Sequence, residues 1–233
     1  MYALKPFAID TGVEVLAADR LEVEGRASCL VLHGGAATSE RSHWLVLRQN
    51  LASHGLGTLA VDFSGHGESS ARTPDSLSKR YDEAIAALQY LDEAKPRAVI
   101  GISAEIAVRI AAAPNNRIGR LVTLVGAAYD SAAFAVPFGP AFTKILRTAQ
   151  SWRRSVVFER IASFPGRLTV VHATEDTVVP AIIGELLVAN DRRAEHTEIV
   201  DIPNTDHALG MALRAQPRLV DRLGNVICHA ILA

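Results

Sequence analysis

Ser103 is the residue of this sequence that most directly suggests chemistry. It follows the apolar run Ala98–Ile102 and precedes an alanine-rich stretch that begins at Ala104, with no loop residues on either side. A strand that turns directly into a helix at Gly-x-Ser exposes the serine hydroxyl at the edge of a sheet, beside the positive end of the helix. A serine attacks a carbonyl group only where a base and an oxyanion site surround it, so Ser103 is a candidate nucleophile. Capping of the following helix is the alternative role.

Glu105 occupies the position where a Gly-x-Ser-x-Gly elbow has its second glycine. A carboxylate in the first turn interacts favourably with the helix dipole, and Arg109 four residues later completes a helix ion pair. These features favour a tolerated residue on the surface or pocket rim, in which case Glu105→Gly should leave folding nearly intact. The alternative is a catalytic role, in which Glu105 orients water for the breakdown of an acyl-enzyme.

Composition favours one globular domain over residues 1–233, with 49% hydrophobic side chains. The 24 Lys and Arg residues nearly cancel the 25 Asp and Glu residues, so we expect no nucleic-acid partner. Cys29 and Cys228 lie in apolar runs and are predicted to be reduced core residues. The sequence shows neither a signal peptide nor an apolar stretch of about 18 residues, which predicts a cytoplasmic protein without a membrane span. Its oligomeric state is not indicated.

Strand-like and helix-like segments alternate along the chain, which predicts a mostly parallel sheet with helices on both faces. The predicted strands are Phe7–Ile9, Val13–Leu16, Ser28–Leu32, Gly57–Val61, the run before Ser103, Leu121–Val125, Leu168–His172 and Glu198–Ile202. The predicted helices are Trp44–Ser53, Leu77–Leu91, the stretch after Ser103, Ala181–Val188 and Pro217–Leu232.

A long connection interrupts this alternation after Val125, and we predict a cap or crossover segment at residues 128–164. A connection of about forty residues in a compact domain carries its own helices or serves as a lid. Its aromatic side chains are predicted to line an apolar substrate pocket; they are Phe134, Phe138, Phe142 and Trp152. The alternative is an ordinary crossover whose aromatic residues join the core.

Five short motifs follow predicted strands in a fixed order. They are Leu30–Gly35 with His-Gly-Gly, Asp62–Ser69 with Gly-His-Gly, the Gly-x-Ser-x-Glu elbow at Ser103, Val171–Pro180 and Ile202–Ala208. Together they resemble the α/β-hydrolase superfamily, most closely its small serine esterases and thioesterases. The resemblance implies an α/β-hydrolase fold: a mostly parallel central sheet, helices on both faces and a small helical cap insertion.

Carried over to this sequence, the resemblance makes Ser103 the nucleophile, Asp176 the acid and His207 the base, in the chain order of this fold. His207 would take the serine proton and later return one to the leaving group, while Asp176 would hold the imidazole in the required tautomer. We expect His207 Nε2 within about 3.5 Å of Ser103 Oγ. The backbone N–H groups of Gly35 and Ala104 would form the oxyanion hole.

Each of these assignments has a rival. Glu175 adjoins Asp176, and a slip of one residue would exchange their roles, although the spacing to the following Val-Val-Pro favours Asp176. Three other histidines compete with His207, and hydrogen-bonding roles in the structure are favoured for them: His33, His66 and His172.

The motifs predict hydrolysis of a small or medium carboxylic ester through an acyl-enzyme. An acyl thioesterase with the same triad is the alternative enzyme, and a non-catalytic ligand-binding relative is the alternative outside catalysis. The sequence lacks metal-binding His or Cys pairs and the glycine-rich motifs of nucleotide binding, so we predict neither a metal nor a cofactor. The expected partner is a small-molecule ester or thioester.

Overall fold

The structure is a computed structural model that describes residues 2–25, 28–92, 97–102 and 104–232. Its strands are β1 (Leu4–Asp10), β2 (Val15–Leu21), β3 (Cys29–Leu32), β4 (Thr58–Val61), β5 (Arg97–Ile102), β6 (Ile118–Leu124), β7 (Arg167–Ala173) and β8 (His196–Ile202). They form one sheet in the order β1-β2-β4-β3-β5-β6-β7-β8. β2 is antiparallel to β1 and β4, and every other neighbouring pair is parallel. The predicted mostly parallel sheet is confirmed.

Eight α-helices connect and cover the described strands. They are α1 (Leu45–Ser53), α2 (Leu77–Leu88), α3 (Ala104–Ala111), α4 (Pro140–Leu146), α5 (Val157–Arg160), α6 (Ile182–Asn190), α7 (Leu209–Ala215) and α8 (Pro217–Leu232). None of the helices within the described ranges is long and apolar enough to cross a bilayer.

The apolar core lies in two layers, one on each face of the sheet. Along β3, Leu30 and Leu32 face the layer of α2, α3, α5 and α6, whereas Cys29 and Val31 face the layer of α1, α7 and α8. A strand buried on both faces reads as a continuous apolar run, which is why the segment was predictable. Cys29 and Cys228 are both buried free thiols, as predicted.

The predicted elements have counterparts in the structure, with shifted ends. Pro217–Leu232 is helical over its whole predicted length, whereas the helix predicted to reach Leu91 ends at Leu88. The strand predicted to reach Val125 ends at Leu124, because Val125 adopts a φ of 44°, outside the extended region. Helix α7 was not predicted.

The connection between β6 and β7, residues 125–166, is called the β6–β7 segment below. It contains α4, α5 and three short 3₁₀ turns, at Ser131–Ala133, Ser151–Arg154 and Ile161–Ser163. Backbone hydrogen bonds join it to the start of α2: the Ser78 N–H donates to the Phe134 carbonyl (2.8 Å), and the Phe138 N–H donates to the Asp75 carbonyl (2.9 Å). The segment is thereby fixed to the main body beside the carboxyl ends of the parallel strands.

Candidate active site

His207 and Asp176 meet at the carboxyl end of the sheet, where the loops after β7 and β8 lie side by side. His207 Nδ1 is 2.9 Å from Asp176 Oδ2. Because a carboxylate only accepts hydrogen bonds, Nδ1 carries the ring proton and Nε2 keeps its lone pair. The Asp176 side chain is 6% exposed and that of His207 is 37% exposed. This arrangement gives His207 the tautomer and the access that a general base needs.

The loop that follows Asp176 also binds its second oxygen. Asp176 Oδ1 accepts hydrogen bonds from the backbone N–H groups of Val178 (2.8 Å) and Val179 (2.9 Å). Burial is the strongest single influence on the pKa of Asp176 and raises it, but these amides and the His207 ring together leave that pKa below its usual value. Asp176 is therefore an ionised, fixed partner for an imidazolium ion.

The structure distinguishes Asp176 from Glu175, the alternative acid in the sequence. The Glu175 side chain is exposed. Its backbone N–H donates to the Thr205 carbonyl at 2.8 Å, which joins the loops after β7 and β8. Asp176, one residue later, is the carboxylate that contacts His207. The catalytic roles of both members of this pair remain predictions.

Of the other histidines in the motifs, His33 and His66 hold loops, whereas His172 packs against a helix. His33 Nε2 accepts the Phe63 N–H (3.0 Å), so Nδ1 carries the proton and donates to the Gly34 carbonyl (2.8 Å). Burial lowers the pKa of His33 to about 3, which keeps this tautomer neutral. His172 lies on β7 beside α6, where a Cβ at Gly184 would stand 2.1 Å from its Nε2. Gly184 is therefore required for α6 to pack this closely.

The Gly-His-Gly turn wraps around the carboxylate of Asp62. Asp62 Oδ1 accepts the Arg41 N–H (2.7 Å), and the Arg41 guanidinium binds Oδ2 of the same carboxylate. A Cβ at Gly67, where φ is 49°, would lie 2.0 Å from Asp62 Oδ2. His66 Nδ1 donates to the Ser39 carbonyl at 2.9 Å. The motif thus fixes the two loops that approach the site from β3 and β4.

A cavity of about 830 Å³ opens in front of His207. Its wall includes Gly34 and Gly35 after β3, Ile106 on α3, Val179 after β7 and Met211 on α7. Loops at the carboxyl ends of parallel strands are the usual location of ligand sites in α/β sheets. The cavity therefore brings the loops after β3, β7 and β8 together with the first turn of α3.

The β6–β7 segment forms the opposite wall of this cavity. Phe138, Phe142 and Trp152 line it, and their contact with a substrate remains a prediction. The ring centroids of Phe138 and Phe142 are 4.6 Å apart in an edge-to-face pair. The prediction that Phe134 also lines the pocket is wrong. Phe134 is not among the lining residues, and the centroid of its ring instead lies 3.7 Å from Arg109 Cζ.

Glu105 is buried, with 1% exposure, so the prediction of a surface residue is wrong, whereas its place among the cavity-lining residues agrees with the pocket-rim prediction. The expected ion pair is present, with Arg109 Nε 2.7 Å from Glu105 Oε1. Oε2 accepts the Tyr129 N–H (3.1 Å) and the Ser155 hydroxyl (2.8 Å). Both residues belong to the β6–β7 segment, so Glu105 joins the first turn of α3 to this segment. Sequence reasoning missed Tyr129 and Ser155, which carry no motif.

Ser103 lies outside the described residues, and its distance to His207 remains a prediction. Ala104 begins α3, as expected of the residue after an elbow. Gly35 lies in the cavity wall. Over the described ranges, no group of three or more His, Cys, Asp or Glu side chains is placed to hold a metal ion.

Residues 29–167, more than half of the chain, match the sequence profile described as the alpha/beta hydrolase family. No curated protein matches the chain significantly. The chain superposes on the thioesterase domain from the curacin biosynthetic pathway with a TM-score of 0.71 and 17% identity, over 97% of this chain and 99% of that one. The predicted α/β-hydrolase fold is confirmed.

Two esterase structures resemble the chain to a similar degree. Est1E from Butyrivibrio proteoclasticus, with ferulic acid bound, gives a TM-score of 0.69 and 20% identity, over 93% of this chain and 97% of that one. The Pyrococcus furiosus esterase Pf2001 gives 0.67 and 17%, over 98% of this chain and 93% of that one. At these identities the likeness concerns the fold.

Proposed function

The chain belongs to the alpha/beta hydrolase family, and on this premise we propose that it is a serine hydrolase that cleaves a small or medium carboxylic ester. The observation that carries the proposal is the Asp176–His207 hydrogen bond of 2.9 Å at the wall of the cavity. It prepares an imidazole base at the carboxyl end of the sheet, where the elbow motif predicts a serine.

The proposed reaction has two steps. His207 Nε2 takes the proton of the Ser103 hydroxyl as Oγ bonds to the ester carbonyl carbon, and the imidazolium formed is stabilised by Asp176. The carbon–oxygen bond to the alcohol then breaks, and the alcohol leaves with the proton from His207. Water, deprotonated by the same histidine, then attacks the acyl carbon. The bond from this carbon to Ser103 Oγ breaks, Oγ takes the proton back from His207, and the carboxylic acid is released.

The negative charge that develops on the ester carbonyl oxygen is stabilised by hydrogen-bond donors that are already in position before the reaction. We assign this role to the backbone N–H groups of Gly35 and Ala104, which follow β3 and the elbow position respectively. Gly35 lies in the cavity wall. Ala104 begins α3, where the helix dipole adds positive potential.

The aromatic wall supports an apolar acyl or alcohol group as the substrate part that enters the cavity. Phe138, Phe142 and Trp152 present ring surface to this space, and burial of apolar area is the main source of binding energy for such a group. Thioesters undergo the same two-step reaction, so the proposed function includes a thioesterase as its alternative.

The proposal is tested by hydrolysis of p-nitrophenyl butyrate and of a butyryl thioester by the wild-type protein and the Ser103→Ala variant. We expect wild-type turnover of at least one substrate and a loss of about 10³-fold or more in the variant. Wild-type folding without turnover of either substrate supports the non-catalytic, ligand-binding alternative, and equal rates in both proteins identify a different nucleophile.

A further inference from the structure

Arg80 on α2 is a buried cation in the wall of the cavity, and no motif in the sequence points to it. It is 3% exposed. Its Nε and NH2 groups donate to Asp75 Oδ2, at 2.9 and 2.7 Å. The rings of Phe63 and Phe138 lie 5.1 and 4.7 Å from its Cζ. Arg80 is therefore held in one orientation by a carboxylate and two aromatic rings.

Two further contacts join Arg80 to the loops after β3 and β4. NH2 binds His66 Nε2, which is an acceptor because His66 Nδ1 donates to the Ser39 carbonyl. NH1 donates to the Gly34 carbonyl at 3.3 Å. A Cβ placed at Gly35 would lie 3.7 Å from the same NH1. The guanidinium thus touches the Gly34–Gly35 peptide directly.

The Gly34 carbonyl receives two donors, His33 Nδ1 at 2.8 Å and Arg80 NH1 at 3.3 Å. In a planar trans peptide the carbonyl and the following N–H point in opposite directions. Fixing the Gly34 carbonyl therefore fixes the Gly35 N–H on the other side of the peptide. Across the described ranges, the Gly35 N–H makes no backbone hydrogen bond.

We propose that Arg80 is a positioning residue for the oxyanion hole, holding the Gly34–Gly35 peptide so that the Gly35 N–H stays directed at the reacting carbonyl oxygen. The inference rests on the proposed function. His33 donates to the Gly34 carbonyl through a neutral ring. Arg80 adds a charged donor to the same carbonyl, and Asp75 holds that donor in place. Phe138 contacts both the cavity and Arg80, so the aromatic wall and the oxyanion loop share one side chain.

The test compares stabilisation of the transition state with binding of the ground state in Arg80→Lys and Arg80→Gln. The probe is a trifluoromethyl ketone with the acyl chain of the ester substrate, whose carbonyl carbon bonds to the nucleophile and places an oxyanion in the hole. We expect kcat/KM and ketone affinity to fall in parallel by about 10²-fold in Arg80→Gln, the loss typical of one oxyanion donor, with KM nearly unchanged. Lysine keeps the charge without the planar fork, so Arg80→Lys should lose less.

Arg48→Lys is the matched control. Arg48 is 1% exposed and ion-paired with Asp19, and it is not among the cavity-lining residues. We expect it to lower thermal stability while leaving kcat/KM and ketone affinity of the folded protein unchanged. If Arg80→Gln does not fold, Asp75→Asn removes the anchor of the guanidinium and should produce a smaller parallel loss.

The outcomes separate this inference from the proposed function. Arg80 variants with unchanged kcat/KM and ketone affinity, in an active protein, overturn the inference alone. A rise in KM without a change in kcat also overturns it, because Arg80 would then bind substrate instead of positioning the hole. A wild-type protein that neither hydrolyses the ester nor binds the ketone overturns the proposed function and the inference with it.

Discussion

Two carboxylates with little solvent exposure, Asp176 and Glu105, are bound in different ways. Asp176 places one oxygen on two backbone amides and the other on the His207 ring, which borders the cavity. Glu105 places both oxygens on the scaffold: one on Arg109 and the other on Tyr129 and Ser155. The partner of Asp176 is a histidine, which can take up a proton, so this carboxylate can take part in catalysis. The partners of Glu105 are all permanent donors, so this carboxylate stabilises the fold.

This comparison also accounts for the departure from glycine at the elbow. A negative charge close to the oxyanion hole would oppose catalysis if it were free. The Glu105 charge is neutralised by Arg109 at 2.7 Å, and both side chains are buried away from solvent. Where the elbow motif has a glycine, the Glu105 carboxylate therefore connects α3 to the β6–β7 segment through hydrogen bonds and an ion pair.

The largest expected effect is that of Asp176→Asn. The asparagine amide favours the wrong imidazole tautomer, so we expect kcat to fall by about 10³- to 10⁴-fold while the melting temperature changes little. Steady-state kinetics with p-nitrophenyl butyrate measure the loss. Glu175→Gln, on the exposed neighbouring residue, is the control and should keep wild-type kcat. A variant at Asp176 with near-normal kcat would remove the distinction between the two carboxylates.

Glu105→Ala should lower the stability of the protein and leave kcat nearly unchanged. Its removal leaves Arg109 as a buried charge without its carboxylate, and we expect the free energy of unfolding to fall by about 3 kcal/mol. Ser155→Ala removes one hydrogen bond of the same network and should cost about 1 kcal/mol. Urea denaturation measures both, and kcat per folded molecule should stay within about tenfold of wild type. Unchanged stability with a large loss of kcat would instead assign Glu105 to catalysis.

Two phenylalanines, Phe142 and Phe134, have different surroundings and should affect substrate binding differently. Phe142 lines the cavity, whereas Phe134 packs on Arg109 in the Glu105 network. Phe142→Ser should raise KM for a hexanoate ester by about tenfold and for an acetate ester by less than about twofold, because the apolar contact is lost only to the longer chain. Phe134→Ser, the matched control, should lower stability without changing the ratio of the two KM values. Equal ratios in both variants would place Phe142 in the core.

A third carboxylate, that of Asp191, has no cationic partner within the part of the chain that the structure describes. It accepts backbone N–H groups there, and burial raises its pKa to about 6. Because this pKa exceeds that of the unfolded chain, stability from Asp191 is complete below about pH 4 and is lost as pH rises through 6.

Asp191→Asn should therefore stabilise the protein by about 1 kcal/mol at pH 7.5, after allowance for solvent screening, and should give no gain at pH 4. Thermal unfolding at the two pH values measures the difference. Asp82→Asn, on an exposed position, should change stability at neither pH. An equal effect of Asp191→Asn at both pH values would show that its carboxyl does not titrate in this window.

The sequence predicted those parts of the site that depend on local order. The alternation of elements predicts that strands ending at polar motifs meet at one edge of a parallel sheet, and the resemblance to the α/β-hydrolase superfamily implied that Asp176 and His207 pair there. The partners of Glu105 could not be predicted, because Tyr129 and Ser155 lie 24 and 50 residues away and meet it only after the β6–β7 segment has folded. Arg80 was missed for a different reason: a basic residue on an amphipathic helix is ordinarily expected on the solvated face of that helix.

The central claim, that Asp176 and His207 serve a serine at the elbow, is tested most directly by reaction with a fluorophosphonate followed by peptide mapping. We predict a single phosphonyl group on Ser103 in the wild-type protein, and labelling slowed by orders of magnitude in Asp176→Asn. Label on another residue, or no label on a protein that hydrolyses esters, would contradict the account.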